Sequence, residues 1–393
     1  MKIVANILVI GLFFLTCTNY NQPVPTLDTL LQEDLRGVWL TNIDSEILFD
    51  SNRTEEALIK LKNSGFNTVY PVVWNDGYTL YPSELMRREF GEAFEQDTLF
   101  ASLGIDPLQN VITHARALNL KVIPWFEFGF SSSYNQQGGH ILASKPEWAA
   151  RNQEGGILTK NGFEWMNALH PEVQQFLLNM VQEVISTYDV DGIQGDDRLP
   201  AMPSEGGYSR FTKELYVQET GNTVPEDPLA PAFLEWKADK LSQFAQDLYG
   251  TVKAYNEHLI VSLAPSVYPW SKQQYLQDWP QWLRDGSMDE LIPQNYRWDI
   301  TAYQNTLNVI KAEYDQHKPA DKTVRFASGI IIKAGSRFND YSYVKQALQM
   351  NRAAGVEGEV YFFYEGLYEQ NGYLADSLKL NHYHSKETTD THE

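Results

Sequence analysis

One cysteine in 393 residues, Cys17, is the sharpest scarcity of this chain. A lone thiol excludes an intrachain disulfide framework, so the fold must hold by packing. Among the histidines, His114, His170 and His317 have no partner at ligand spacing, so no catalytic metal and no cofactor is expected. Equally missing are a Gly-rich phosphate loop, a Gly-x-Ser-x-Gly elbow, an internal repeat and any low-complexity tract. Positive charge is also in short supply. Thirty-one Lys and Arg against 51 Asp and Glu leave a formal charge of −20, which repels phosphate backbones and argues against nucleic acid as a partner. Long apolar runs are absent too: the stretch from Ile3 to Leu15 falls short of the roughly 20 residues of a comfortable transmembrane helix.

That short apolar stretch, preceded by Lys2, suits the central part of an export signal. Cys17 closes it in Phe14-Leu-Thr-Cys17, and the polar, Pro-containing segment from Thr18 to Pro25 reads as a tether. The arrangement resembles a bacterial lipoprotein signal, which implies lipidation of Cys17 and a membrane contact through that anchor alone. Thr16 departs from the small residue usual before such a cysteine, so plain secretion stays open. The expected organisation is an export signal over residues 1–17, a tether over 18–34, one large domain over 35–384 and a flexible polar tail over 385–393. The expected location is the cell envelope, lipid-anchored, or else the periplasm or medium.

What the chain does have is core material, 43% hydrophobic with 13% aromatic residues, enough for a large globular domain. From Leu35 onward short β-rich runs alternate with longer amphipathic ones, the pattern of βα units around a parallel sheet. Strands are predicted near Gly37–Thr41, Thr68–Trp74, Lys121–Phe126, Gly192–Asp196, Leu259–Ala264, Glu290–Asn295, Arg325–Ile331 and Glu359–Tyr364. Helices are predicted at Thr54–Asn63, Pro107–Leu118, Pro171–Thr187, Ala232–Tyr255, Ile300–Tyr314 and Tyr341–Ala354. Eight such strands fit a (β/α)8 TIM barrel with long loops after strands three and four, from Phe128 to Asn167 and from Arg198 to Pro231.

Three carboxylates crowd into Asp191-Gly-Ile-Gln-Gly-Asp-Asp197, where the fourth strand ends. Such a cluster is costly to bury without a partner or a task. The order of Arg36-Gly-Val-Trp-Leu-Thr-Asn42, Asn67-Thr-Val-Tyr-Pro-Val-Val-Trp74, Val122-Ile-Pro-Trp-Phe-Glu-Phe-Gly129, Tyr188-Asp-Val-Asp-Gly-Ile-Gln-Gly-Asp-Asp197 and Phe362-Phe-Tyr-Glu-Gly-Leu367 resembles the glycosyl-hydrolase-like family 10 proteins. The resemblance implies a sugar-active barrel and, from a characterised branch, peptidoglycan strands stripped of peptide. Chitinases carry alternating acids at the end of their fourth strand. Aligned on Asp191-Gly, those positions are Gln194, Asp196 and Arg198, so the chitinase glutamate is replaced by Arg198 and that mechanism is not carried over.

Glycosidic hydrolysis needs a proton donor for the departing oxygen and a second carboxylate. Side chains alternate along a strand, so Gln194 and Asp196 share one face and Asp197 the other. Asp196 is the first choice for the unprotonated partner and Asp197 the second. Glu127, after Trp125-Phe126, is the candidate donor, with pairing to Arg198 or Lys333 as the structural alternative; Glu365 follows the same logic on strand eight. Asp191 is read as capping a turn. Substrate contacts are expected from Asn42, Asn167, Gln194, Arg198 and Asn295 by hydrogen bonding, and from Trp39, Trp74, Tyr81, Trp125 and Tyr296 by stacking. The expected activity is hydrolysis of a polysaccharide, with an amino-sugar glycan as the first choice. A noncatalytic carbohydrate-binding barrel and a polysaccharide deacetylase or lyase are the alternatives.

Overall fold

The computed structural model describes residues 26–383. Cys17, the expected export signal, residues 18–25 of the tether and the tail from 385 lie outside the described residues. The described part of the tether includes a short helix, Leu27–Leu31.

Nine parallel strand segments carry the α/β fold: β1 (Leu35–Leu40), β2 (Thr68–Pro71), β3 (Lys121–Val122), β4 (Gly192–Gly195), β5 (Ile260–Leu263), β6 (Glu290–Leu291), β7 (Arg325–Phe326), β8 (Ser328–Ile331) and β9 (Gly358–Phe362). They form a five-stranded sheet, β8-β9-β1-β2-β3, and a four-stranded one, β7-β6-β5-β4. Parallel bridges join Trp125 to Gln194 at one junction and Gln294 to Gly329 at the other. The backbone also crosses from β3 to β4, where Asp191 N donates to Val122 O and Phe126 N to Gln194 O, both at 2.9 Å.

Several expected strands are shorter because proline interrupts them. Pro124 and Pro293 have no N–H to give a ladder, so β3 and β6 stop early. The seventh expected strand is broken at Ala327 into β7, which pairs with β6, and β8, which pairs with β9. Trp74 leaves the second strand for an antiparallel hairpin with Thr79.

Helices fill the connections close to where periodicity puts them, at Ser51–Asn63, Pro107–Ala117, Pro171–Thr187, Pro231–Tyr255, Ile300–His317 and Tyr341–Ala353. Helix Pro171–Thr187 shows the logic. Pro171 takes the first turn, where its missing N–H is harmless, and Val173, Phe176, Leu177, Met180, Val181, Val184 and Ile185 form one buried stripe. The two segments expected as irregular loops contain regular structure: strands Ser131–Tyr134, Thr159–Lys160 and Phe163–Trp165 pair antiparallel, and helix Arg210–Thr220 lies in the second. The three strands are two to four residues long, too short for alternation to show in the pattern.

A ladder of buried polar groups runs through the space between the strands. Trp39 Nε1 donates to Gln194 Oε1 at 2.6 Å and Gln194 Nε2 to Ser262 Oγ at 2.9 Å. Ser262 Oγ and Tyr70 OH both donate to Glu290 Oε2, and Arg325 grips Glu290 Oε1 at 2.5 Å. Every member is buried and bonded, the condition under which a polar interior specifies one arrangement.

Candidate active site

The last residues of β3 and β4 and the turns beyond them bring Glu127, Asp196 and Asp197 around one guanidinium, that of Arg198. Its Nη2 lies 3.3 Å from Glu127 Oε1 and 3.9 Å from Asp196 Oδ2, and its Nη1 lies 3.3 Å from Asp197 Oδ1. Its Nε donates to the Glu127 carbonyl at 2.8 Å. The plane of the group sits 4.6 Å from the Phe163 ring, contributed by the strand excursion after β3. Burial opposes the charge on Arg198, but Asp197, Asp196 and Glu127 together hold its pKa above the ordinary arginine value.

Two glycines allow this convergence. A Cβ on Gly129, whose φ is +49°, would stand 1.9 Å from the Arg198 carbonyl, and one on Gly195 would stand 2.3 Å from that of Leu199. The backbone after β4 therefore folds directly against the end of β3. Gln277, in the loop after β5, donates to the Asp196 carbonyl at 2.8 Å and to Pro200 O at 3.1 Å, fastening the same turn from the other side.

The carboxyl groups are not equivalent. Asp196 is only 2% exposed: Trp125 Nε1 donates to its Oδ2 at 2.9 Å and Arg198 N to its Oδ1 at 3.0 Å. Burial, then the charge of Asp197, pushes its pKa well above the usual carboxylate range. Glu127 is 16% exposed and accepts from Asn75 Nδ2 at 2.5 Å; burial raises its pKa against the opposing effects of Arg198 and Asn75. Asp197, at 30%, is the most exposed of the three. A cleft of about 370 Å³ opens beside Glu127, walled by Tyr134, Phe163 and Phe362 and edged by Asp44 and Asp76. A larger hollow of about 1030 Å³ lies at the opposite ends of the strands, beside Arg36, Asn67 and Lys121, away from every carboxylate named above.

The other expected residues divide clearly. Tyr296 stacks on Phe362 at 5.3 Å, and its phenol pKa is pushed well up, by burial first and then by the charges of Asp197, Asp196 and Glu127. Trp39, Trp125 and Gln194 lie beneath the site as its packed floor. Glu365 stands apart from the Arg198 group: Ser45 Oγ donates to its Oε1, its buried Oε2 has no partner among the described residues, and burial raises its pKa. Asn42 Oδ1 is likewise buried without a partner there.

Four more of the expected substrate contacts lie within the packing. Trp74 is buried, with its Nε1 bonded to Gly129 O. Tyr81 is buried against helix Pro171–Thr187, donating to Glu183. Asn167 is buried with Ser209 and Thr212, and Asn295 is buried with its amide on Tyr303 O. Trp74, Tyr81 and Asn167 have spent their polar groups on the fold, whereas Asn295 Oδ1 is buried without a partner among the described residues. Asp191, expected to cap a turn, instead joins Arg116 at 2.7 Å and accepts from Val122 N of β3 at 2.6 Å, and Lys333 pairs with Glu369 instead of Glu127. Asn75, Phe163, Tyr134 and Gln277 were missed. Asn75 directly follows the Trp74 that ends the second strand's motif, so the end of strand two was the available signal; Tyr134 and Phe163 lie on short strands of the excursion after β3 and Gln277 in the loop after β5, where the sequence pattern offers none.

Residues 34–342 match the family described as Glycosyl hydrolase-like 10. The chain is 24% identical over 322 residues to the glycosyl hydrolase DigH of Escherichia coli strain K12, covering 69% of each protein. It is 21% identical over 392 residues to the glycosyl hydrolase YngK of Bacillus subtilis strain 168, covering 89% of this chain and 72% of that one. Among solved structures, the glycoside hydrolase domain of PgaB from Bordetella bronchiseptica aligns with a TM-score of 0.60 at 15% identity, over 88% of this chain and 98% of that chain. The catalytic domain of β-amylase from Paenibacillus polymyxa gives 0.59 at 12% identity, over 89% and 98%. At such identities these two structures speak for the fold alone.

Proposed function

The chain belongs to the glycosyl hydrolase-like 10 family, and from that premise we propose that it hydrolyses the glycosidic bonds of a polysaccharide by paired carboxyl groups at the mouth of a closed (β/α)8 barrel. The barrel reading is supported by the Trp125–Gln194 and Gln294–Gly329 bridges between the two sheets. The observation that carries the chemistry is the meeting of Glu127, Asp196 and Asp197 on Arg198 beside an aromatic cleft.

Glu127 is the proton donor. Burial keeps its carboxyl protonated to higher pH than usual, and it lines the cleft. As the bond between the sugar carbon and the bridging oxygen breaks, the Glu127 proton passes to that oxygen. The glutamate left behind is an anion 3.3 Å from Arg198, which stabilises it. Asp197, the most exposed of the three, faces the positive charge growing on the sugar ring; water supplies the new hydroxyl to the sugar carbon, and its other proton returns Glu127 to the acid form. Asp196, with both oxygens engaged, positions Trp125 and the Arg198 backbone. The unprotonated role thus passes from the first candidate of the strand-parity argument to the second.

No Lys or Arg lines the cleft, whereas Asp44, Asp76 and Glu127 do. Its field disfavours a dense polyanion and suits neutral or N-acetylated chains. Peptide-free peptidoglycan, with one carboxylate per disaccharide, is the proposed substrate class. The test is to incubate the purified protein with peptide-free peptidoglycan, chitin oligosaccharides, pectin, alginate and heparin and to weigh the products. New reducing ends from the first two are expected. Binding without any new reducing end would make the protein a lectin-like platform, and preferential cleavage of pectin, alginate or heparin would overturn the electrostatic argument.

A further inference from the structure

All ten tryptophans lie within the described residues, and one is exposed: Trp270, at 46%. An indole left in water at that level gives up burial that the other nine largely obtain. Its place is specific. Helix Trp270–Tyr275 belongs to the loop after β5, at the same ends of the strands as Glu127 and Asp197.

The neighbourhood is tied together by hydrogen bonds and reaches the Arg198 cluster. Trp270 lies 5.4 Å from the Tyr275 ring. Asn161 Nδ2 donates to the Tyr275 hydroxyl at 3.0 Å, and Lys160 Nζ sits 4.7 Å from its ring, itself held by Glu205 at 2.8 Å and Gln274 Oε1 at 2.9 Å. Met202 N donates to Tyr275 O at 3.1 Å, and Gln277, two residues on, bonds to the carbonyl of Asp196. The charges of Asp197 and Arg198 act on the Tyr275 phenol, whose pKa is raised mainly by burial. The cleft beside Glu127 opens on the other side of Arg198, where Ile43 and Tyr134 are the large exposed apolar residues at its edge, at 56% and 47%.

We propose that Trp270, backed by Tyr275 and Asn161, is a second sugar-binding subsite on the β5 side of the Arg198 cluster, so that a glycan lies across the carboxylates and is cut within its length. This rests on the hydrolase reading. The indole offers a flat apolar face to the C–H face of a pyranose ring, and the exposed Asn161, bonded to Tyr275, brings an amide for ring hydroxyls. The fixed loop makes the subsite preorganised, so little ordering cost opposes binding.

The test uses the full chain carrying Glu127→Gln, so that bound strands persist, with and without Trp270→Ala. Peptide-free peptidoglycan strands of four disaccharides and the single disaccharide are the probes. Long strands are expected to shield the fluorescence of the parent from iodide quenching. Trp270→Ala should abolish that shielding and lower the ratio of long-strand to single-disaccharide affinity about tenfold, with Trp270→Phe restoring much of it. Unchanged shielding and an unchanged ratio in a well-folded Trp270→Ala protein would overturn the subsite alone. If the parent binds neither probe, nor chitin oligosaccharides, the hydrolase reading falls and the subsite with it.

Discussion

Arg198 holds Glu127 at two points, donating from Nε to its backbone carbonyl at 2.8 Å and approaching its carboxylate with Nη2 at 3.3 Å. One side chain therefore sets both the path of the chain after β3 and the charge beside the proposed acid. An ammonium cannot do both, because it has no planar fork.

Replacing Arg198 tests that dual role. Arg198→Met leaves three buried or half-buried carboxyl groups without their counter-charge and is expected to lower unfolding stability by about 3–5 kcal/mol. Arg198→Lys keeps the charge but loses the fork and the Phe163 stack, and should cost less stability while still reducing turnover. Urea unfolding with parallel rate measurements checks both, and wild-type stability in Arg198→Met would show that the cluster does not depend on this cation.

The two carboxyl roles predict separate rate losses. Glu127→Gln and Asp197→Asn are each expected to slow turnover by at least about a hundredfold, with the circular-dichroism spectrum unchanged. Asp196→Asn also weakens the site, through Trp125 and the turn at Arg198. A wild-type rate in either of the first two variants would remove that residue from the chemistry.

The pH dependences follow from the directions of the shifts. Glu127 must carry its proton to act, and its pKa is raised, so the alkaline limb of kcat/KM should fall above the usual glutamate value of about 4.3. A limb at that ordinary value would contradict the assignment. For stability, a carboxyl whose folded pKa is raised favours the folded state below its unfolded value and loses that contribution as pH rises through the folded one. Asp196 is such a group. Wild type is therefore expected to lose more melting temperature between pH 5 and pH 8 than Asp196→Asn does, and equal losses would count against the shift.

Location is tested at Cys17. If that thiol is lipidated, Cys17→Ala should move the protein from the membrane fraction to a soluble or unprocessed form. Equal partitioning of variant and wild type into the aqueous phase after detergent phase separation would leave plain secretion.

Periodicity and composition by themselves determined the alternation of parallel strands and helices. Helix Pro171–Thr187 was legible to the residue because an apolar stripe at 3.6-residue spacing and a proline at the first turn are local properties. Residue type and position at strand ends also singled out Glu127, Asp196, Asp197 and Arg198. Depth was not legible. Strand parity tells which face Asp196 occupies, but only the close approach allowed by Gly129 and Gly195 buries it and leaves Asp197 toward solvent. Trp74 and Tyr81 look like rim aromatics in one dimension, yet a hairpin turns the chain and buries both. Phe163, on a short strand of the excursion after β3, and Gln277, in the loop after β5, reach the Arg198 cluster from segments far away in sequence. Which distant side chains share a surface is settled by packing between elements, and a pattern of neighbours along the chain carries no record of it.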